Sequence, residues 1–146
     1  MKPQKSKIDY EKVKTGELIS GTIDKIERDE NHKSTYQGQE RIYDAIRFVF
    51  QLTGYSYPHR SRWMTFSYNE KSTLYQKYIS KLVENAEPEI DMDIEILQGC
   101  KVKTIWSEKD GYQSIDAIYP DGAKVKAEEV KDVEEEVDET GQQVPF

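Results

Sequence analysis

The chain has 146 residues, 36% of them hydrophobic and 34% charged, and a formal net charge of −7. This length fits one domain with a single core and a terminal extension, and the single cysteine, Cys100, excludes an intramolecular disulfide and a cysteine-ligated metal cluster. The lysine-rich N-terminus leads into polar residues instead of an apolar run, so a secretory signal is not expected. No apolar stretch approaches the length of a membrane span, so a membrane partner is not expected either.

The first predicted elements are a flexible basic segment, residues 1–14, and a strand that begins near Gly16. Apolar residues are interspersed with polar ones along this strand, at Leu18, Ile19, Ile23 and Ile26. Gly21 inside the strand predicts a bulge or a sharp coil. Residues 29–41 are polar and predict a connection to the second strand.

The second strand, residues 42–52, is the clearest of the chain because its alternation is sustained along its whole length. One face carries Ile42, Ile46, Phe48, Phe50 and Leu52, and the other carries Tyr43, Ala45, Arg47, Val49 and Gln51. Residues 53–59 predict a loop. Residues 60–68 predict a third strand, in which Met64 faces the core and Trp63 faces the opposite side.

The second half of the domain predicts one helix and a hairpin. Asn69 has the character of an N-cap, and the apolar residues that follow it recur at three-and-four spacing, which predicts an amphipathic helix through Val83. Residues 86–95 form an acidic linker. A fourth strand starts at Gly99, the turn around Asp110 predicts a hairpin, and residues 112–119 form a fifth strand.

Five strands with one helix between the third and fourth define a mainly β protein with the connectivity of the OB-fold, a small Greek-key barrel. We assign this domain to residues 15–124. Residues 125–146 are predicted to be a disordered acidic tail with a Val-Pro-Phe tip. From Glu128 onward the tail has eight carboxylates and one lysine, a net charge of −7, so the remainder of the chain is neutral overall.

The central third of the chain is cationic and rich in aromatic residues. Between Arg41 and Lys81 there are seven cations and two anions, interleaved with tyrosines and Trp63. Such a mixture suits single-stranded nucleic acid, because cations follow phosphates while rings stack on bases. The candidate nucleic-acid-binding residues are Tyr43, Arg47, Tyr55, Tyr57, His59, Arg60, Arg62, Trp63, Lys101, Lys103, Trp106 and Tyr112. Simple exposure to solvent is the alternative for Tyr43, Arg47, Arg60 and Arg62. A structural role is the alternative for Trp63, and a position covering one end of the barrel is the alternative for Trp106 and Tyr112.

The sequence does not predict an enzyme, a metal site or a cofactor. His32 and His59 both fall in predicted loops without a nucleophile at a diagnostic spacing, and no glycine-rich phosphate-binding motif occurs. The acidic run from Glu89 to Glu95 lacks the glycine and the terminal glutamate of a calcium loop, which favours a solvated linker.

Four features of residues 15–120 are distinctive together: the opening Thr15-Gly16-Glu17-Leu18, the strand from Tyr43 to Leu52, the Trp63 strand with the Lys71-Ser72-Thr73-Leu74-Tyr75 segment after it, and Leu97-Gln98-Gly99-Cys100-Lys101-Val102 before the closing hairpin. In these features the chain resembles the OB-fold single-stranded DNA-binding proteins of phages and their microbial hosts. The resemblance implies a protein of DNA replication, recombination or repair that binds single-stranded DNA without strong sequence preference. It also implies a cytoplasmic location, in the host if the source is viral.

The tail resembles that of bacterial single-stranded DNA-binding proteins, which end in an acidic segment and a hydrophobic tip. This resemblance implies that Val144, Pro145 and Phe146 bind replication or recombination proteins. Gln142 and Gln143 depart from the family pattern, because acidic residues usually adjoin the tip. The alternatives are a tail that only aids solubility and an OB-fold module that binds protein or RNA; both a monomer and a homodimer remain open.

Overall fold

The computed structural model describes residues 12–127. This part of the chain is mainly β: six strands form one antiparallel sheet, and a short helical segment lies between the fourth and the fifth. The strands are β1 (Leu18–Tyr36), β2 (Gln39–Leu52), β3 (His59–Arg60), β4 (Met64–Thr65), β5 (Lys101–Lys109) and β6 (Tyr112–Pro120). Their order across the sheet is β3-β2-β1-β5-β6, and β4 pairs with β2. The mainly β class is therefore confirmed, with six strands instead of five.

The sheet is open in the part of the chain that the structure describes. β6 pairs with β5 and has no pairing to β3 or β4 within residues 12–127. The helical segment lies over this gap, where Lys77 Nζ donates a hydrogen bond of 2.9 Å to the carbonyl oxygen of Ile115 in β6. The helical segment thus contacts β6 at the edge where a closed barrel would have a further strand pair.

β1 and β2 form a hairpin much longer than the sequence predicts. The predicted polar connection at residues 29–41 is wrong, because strand pairing continues to Tyr36 and Gln39 and the turn is made by Gln37 and Gly38. Both turn residues have positive φ, 51° and 80°, as the tight turns of hairpins require. Backbone hydrogen bonds pair these polar residues without the apolar alternation that marks a strand in a sequence.

The predicted third strand is reduced to two short pieces. Ser61 lies between them, and it is buried. Its backbone N–H donates to the carbonyl oxygen of Phe48, while its hydroxyl accepts the N–H of Phe48, each at 2.9 Å. The side chain thus replaces a backbone carbonyl in the ladder, which interrupts the strand between Arg60 and Met64.

The predicted helix is short and has a different cap. A π-helical stretch, Leu74–Ile79, continues directly into an α-helical turn, Ser80–Leu82, and a 3-10 turn follows at Ile94–Leu97. Ser72 Oγ accepts the N–H of Tyr75 at 3.1 Å, whereas Asn69 Oδ1 accepts the N–H of Lys71 at 2.9 Å. Asn69 therefore caps the preceding turn; Thr73 is the N-cap of the helical segment, and the Ser72 hydroxyl accepts a backbone N–H of its first turn.

The edges of the domain differ from the predicted boundaries at residues 14 and 124. Val13 is 3% exposed, and its N–H and C=O both bond the side chain of Gln113. Val125 forms a parallel bridge with Val83. Both ends of the described chain are therefore attached to the domain, the first through Val13 and the last through Val125. The predicted tail disorder and the Val-Pro-Phe tip lie outside the described residues.

One core cluster fills the inner face of the sheet beneath the helical segment. Its members include Ile23 and Phe50 from the long hairpin, Leu74 and Ile79 from the helical segment, and Ile118 from β6. No helix among residues 12–127 is long and apolar enough to cross a membrane.

Candidate nucleic-acid interface

The outer face of the sheet, opposite the core, carries several of the candidate residues. Strand register sets Tyr43 beside His32, Arg47 beside Glu27, and Arg60 beside Val49. Directly paired residues project to the same face. The structure thus brings Tyr43, Arg47 and Arg60 onto one surface, and Trp63 contacts it from the β3–β4 connection.

The two arginines at the centre of this face share one carboxylate. Glu27 Oε1 lies 2.6 Å from Arg47 Nε and 3.7 Å from Arg60 Nε. The hydrogen bond from Arg47 holds the pKa of Glu27 below its usual value, although partial burial opposes the shift. Much of the positive charge at the centre of the outer face is therefore compensated within the protein.

Trp63 is half-buried and already contacted by two side chains. The Arg47 guanidinium lies 4.3 Å from the centre of its ring, and the His32 ring lies 4.8 Å from it. His32 also packs edge-on against Tyr43, with ring centres 5.4 Å apart. A base that stacks on Trp63 must therefore displace a side chain or share the ring with one.

A cleft of about 580 Å³ adjoins Trp63 and Tyr43; we call it the cationic cleft. Its cations are Arg41, Arg62, Lys71 and Lys77, and its hydroxyl groups come from Ser34, Thr65, Ser72, Thr73 and Ser114. The nearly buried side chains of Met64, Tyr78 and Ile115 also line it. Four parts of the fold surround the cleft: the β1–β2 hairpin, the β3–β4 region, the start of the helical segment, and β6.

The charge of the cationic cleft is uncompensated by the described residues. No carboxylate lines it, and none of its four cations has a carboxylate oxygen within 4.0 Å in residues 12–127. Arg28, by contrast, forms a two-pronged pair with Asp44, at 2.7 and 3.0 Å. Convergent donors without an acidic partner favour an anionic ligand.

Three other candidates lie in the β2–β3 connection or beside it, towards the N-terminal segment. The Tyr55 hydroxyl accepts the N–H of Lys14 at 3.0 Å, and its ring packs edge-on against His59. Tyr57 is 46% exposed. Tyr55, Tyr57 and His59 do not line the cationic cleft.

Trp106 is corrected from a candidate contact to a core residue. It is 2% exposed, its Nε1–H donates to Thr104 Oγ1 at 2.8 Å, and its ring packs against Phe50. Within β5, Trp106 lies on the same face as buried Val102 and Thr104. No ligand can reach it in this structure.

Lys101 and Lys103 are exposed on β5, next to Thr22 and Ser20 of β1. They lie at the opposite end of the outer face from the cationic cleft, as the register of β1 with its two neighbours requires. Tyr112 is 71% exposed at the start of β6, two residues before Ser114 of the cleft. All three remain accessible to a ligand.

Sequence reasoning missed several residues that line the cleft. Arg41, Lys71 and Lys77 belong to the cationic central third, so charge counting detected them as a group, but no period or motif selected them. Ser34 and Ser114 come from strands far apart in the sequence, and only the fold brings them together. Among residues 12–127, no three His, Cys, Asp or Glu side chains are arranged to hold a metal ion.

Comparison with known proteins assigns the chain to no family. No protein-family model matches the chain, and no curated protein or solved structure is significantly similar to it.

Proposed function

We propose that this protein binds single-stranded DNA without strong sequence preference and acts in DNA replication, recombination or repair. The observation that carries the proposal is the cationic cleft, in which Arg41, Arg62, Lys71 and Lys77 converge without a carboxylate partner among the described residues. A cationic groove that adjoins aromatic rings is the arrangement that single-strand binding uses.

We also propose that the sheet belongs to the OB-fold. The strand order β3-β2-β1-β5-β6 and a helical segment between β4 and β5 support this assignment, because they reproduce the connectivity of that barrel with the last pairing unmade. The outer face of β2 with the neighbouring connections is where OB-folds bind oligonucleotides. Tyr43, Arg47, Arg60 and Trp63 lie there.

In the proposed complex the strand runs over the outer face into the cationic cleft. Phosphates bind the cleft cations, and a base stacks on the ring of Trp63, where it displaces Arg47 or His32 or shares the ring with one of them. The protein acts by binding rather than by catalysis and works in the cytoplasm. The acidic tail competes with DNA and recruits partner proteins through Val144, Pro145 and Phe146, a part of the proposal that rests on the sequence alone.

The first test removes cleft cations one at a time. Arg62→Ala and Lys71→Ala should each weaken oligo(dT) binding, and each should reduce the slope of log affinity against log salt by about 0.7, the value for one lost phosphate contact on a single strand. Lys124→Ala is the matched control, because Lys124 is exposed and does not line the cleft. Fluorescence anisotropy at several salt concentrations measures both quantities.

The proposal fails if both cleft variants bind oligo(dT) with the affinity and salt slope of the parent protein. Parallel titrations with duplex DNA and RNA of the same length test the ligand class. Tighter binding of RNA than of DNA would favour the RNA-binding alternative. Absence of binding to all three would favour a protein-interaction module.

A further inference from the structure

We infer that the cationic cleft binds a terminal phosphate, the phosphomonoester at the end of a nucleic-acid strand. The inference rests on the proposed function and goes further, because it assigns the cleft to the end of the strand and the outer face to its interior. Three features of the cleft support it: an ammonium group with no carboxylate partner among the described residues, a wall on one side, and a concentration of cations beside a ring that other side chains already contact.

The first feature is Lys77, which is half-buried at the edge of the cleft. Its ammonium group donates 2.9 Å to the carbonyl oxygen of Ile115 and has no carboxylate within 4.0 Å in the described residues. An ammonium has three protons to donate, and burial of a charge is costly unless it is paired. An anion in the cleft would supply the missing partner.

The second feature is a wall on one side of the cleft. There the bond between Lys77 and Ile115 joins the helical segment to β6, and the nearly buried side chains of Met64 and Tyr78 also line the cleft. A phosphodiester inside a strand continues into a nucleotide on each side, and the wall obstructs one of the two directions. A terminal phosphate is joined to a nucleotide on one side only and can bind against the wall.

The third feature is that the cleft has four cations, whereas the adjoining ring of Trp63 is already contacted by other side chains. Four cations reach the cleft from separate parts of the fold, whereas a phosphodiester carries one negative charge. A phosphomonoester carries about −1.5 to −2 at neutral pH and has three strong acceptor oxygens. Because His32 and Arg47 already contact Trp63, the cleft favours a ligand recognised by charge over one recognised by stacking.

The experiment compares one internally labelled dT oligomer of about 15 nucleotides, within the range of OB-fold site sizes, in three forms: with a 5′-phosphate, with a 3′-phosphate, and with neither. At least one phosphorylated form should bind about tenfold more tightly than the unphosphorylated form, as expected for one or more added charge-assisted hydrogen bonds. Inorganic phosphate should reduce this preference selectively.

Lys77→Met keeps the length of the side chain and should abolish the preference, so that the three forms bind with equal affinity; Lys77→Arg should retain the preference. If Lys77→Met does not fold, Lys71→Ala replaces it as the test variant, and it should reduce the preference for the phosphorylated oligomer. Lys103→Ala, on the outer face, should weaken all three forms equally.

Equal affinity for the three forms would overturn the inference and leave the proposed function standing. Failure of every form to bind would overturn both. Binding of thymidine triphosphate as tight as that of the phosphorylated oligomer would overturn the assignment to a strand end, because the ligand would then be a free nucleotide. If both Lys77→Met and Lys71→Ala retain the preference for a phosphorylated oligomer, the terminal phosphate binds outside the cleft.

Discussion

Glu27 is an acidic residue at the centre of the outer face, and it contacts both Arg47 and Arg60. Its side chain is 28% exposed, so a ligand can compete for either arginine. Since its pKa is lowered in the folded protein, the contact persists above the unfolded value and is lost only as the pH falls through the lowered one. Glu27 therefore reduces the attraction of the outer face for phosphates at neutral pH.

Replacement of Glu27 by Gln should increase affinity for oligo(dT) a few-fold and steepen its salt dependence, because one or both arginines become available to phosphates. Glu87→Gln is the matched control, since Glu87 is exposed and contacts neither arginine. Titration of both variants at two salt concentrations decides the matter. An unchanged affinity for Glu27→Gln would mean that DNA does not cross the centre of the outer face.

At the scale of elements, the sequence predicted strands wherever the apolar alternation was strong. The interior of β2, the β5–β6 hairpin and its turn at Asp110-Gly111 were all predicted, and both turn residues have positive φ. The polar end of the β1–β2 hairpin was missed because backbone pairing leaves no apolar period there. For the same reason the contribution of Ser34 to the cleft could not be predicted, since it depends on that hairpin.

Gly21 is a second position at which the local sequence pattern predicted the backbone geometry only in part. The sequence predicted a bulge or a sharp coil, but the nearest irregularity of register in β1 lies between Ile23 and Lys25. Gly21 pairs with Leu52 on one side and with Val102 on the other. A Cβ atom built there would lie 2.8 Å from the backbone oxygen of Gln51, so glycine allows the close approach of β2 to β1.

Gly21→Ala should therefore lower the free energy of unfolding by about 1–3 kcal/mol, the usual cost of overpacking, because a backbone atom cannot rotate away. Ser20→Ala is the control: it changes the neighbouring residue without adding volume. Urea unfolding followed by tryptophan fluorescence measures both variants, and it reports on the core through buried Trp106. A Gly21→Ala variant as stable as the parent would show that β1 and β2 can separate at no cost.

At the scale of the whole molecule, charge is divided between two parts of the chain. Residues 1–127 are neutral overall, whereas residues 128–146 have a net charge of −7. Charge counting from the sequence predicted this division. It could not predict that four cations without a carboxylate partner among residues 12–127 converge on one cleft, while Arg28, Arg47 and Arg60 have acidic neighbours within the sheet. That distinction depends on strand register, which the sequence does not specify residue by residue.

If the acidic segment competes with DNA for the same cations, as proposed, removal of residues 128–146 should strengthen binding of oligo(dT) at low salt. The described chain ends at Ala127, close to the helical segment through the bridge between Val125 and Val83, and nineteen further residues can extend at most about 65 Å, enough to reach the cationic cleft. The gain should fade as salt screens the attraction. Anisotropy titrations at low and high salt measure it.

Two controls separate charge from the hydrophobic tip. Deletion of residues 144–146 alone should leave DNA affinity unchanged, because it removes no acidic side chain. Exchange of the eight acidic residues of the tail for their amides should reproduce the gain of the full deletion, because it removes the charge and keeps the length. If the full deletion binds DNA no better than the intact chain at low salt, the tail does not compete for the cleft, and its charge serves solubility instead.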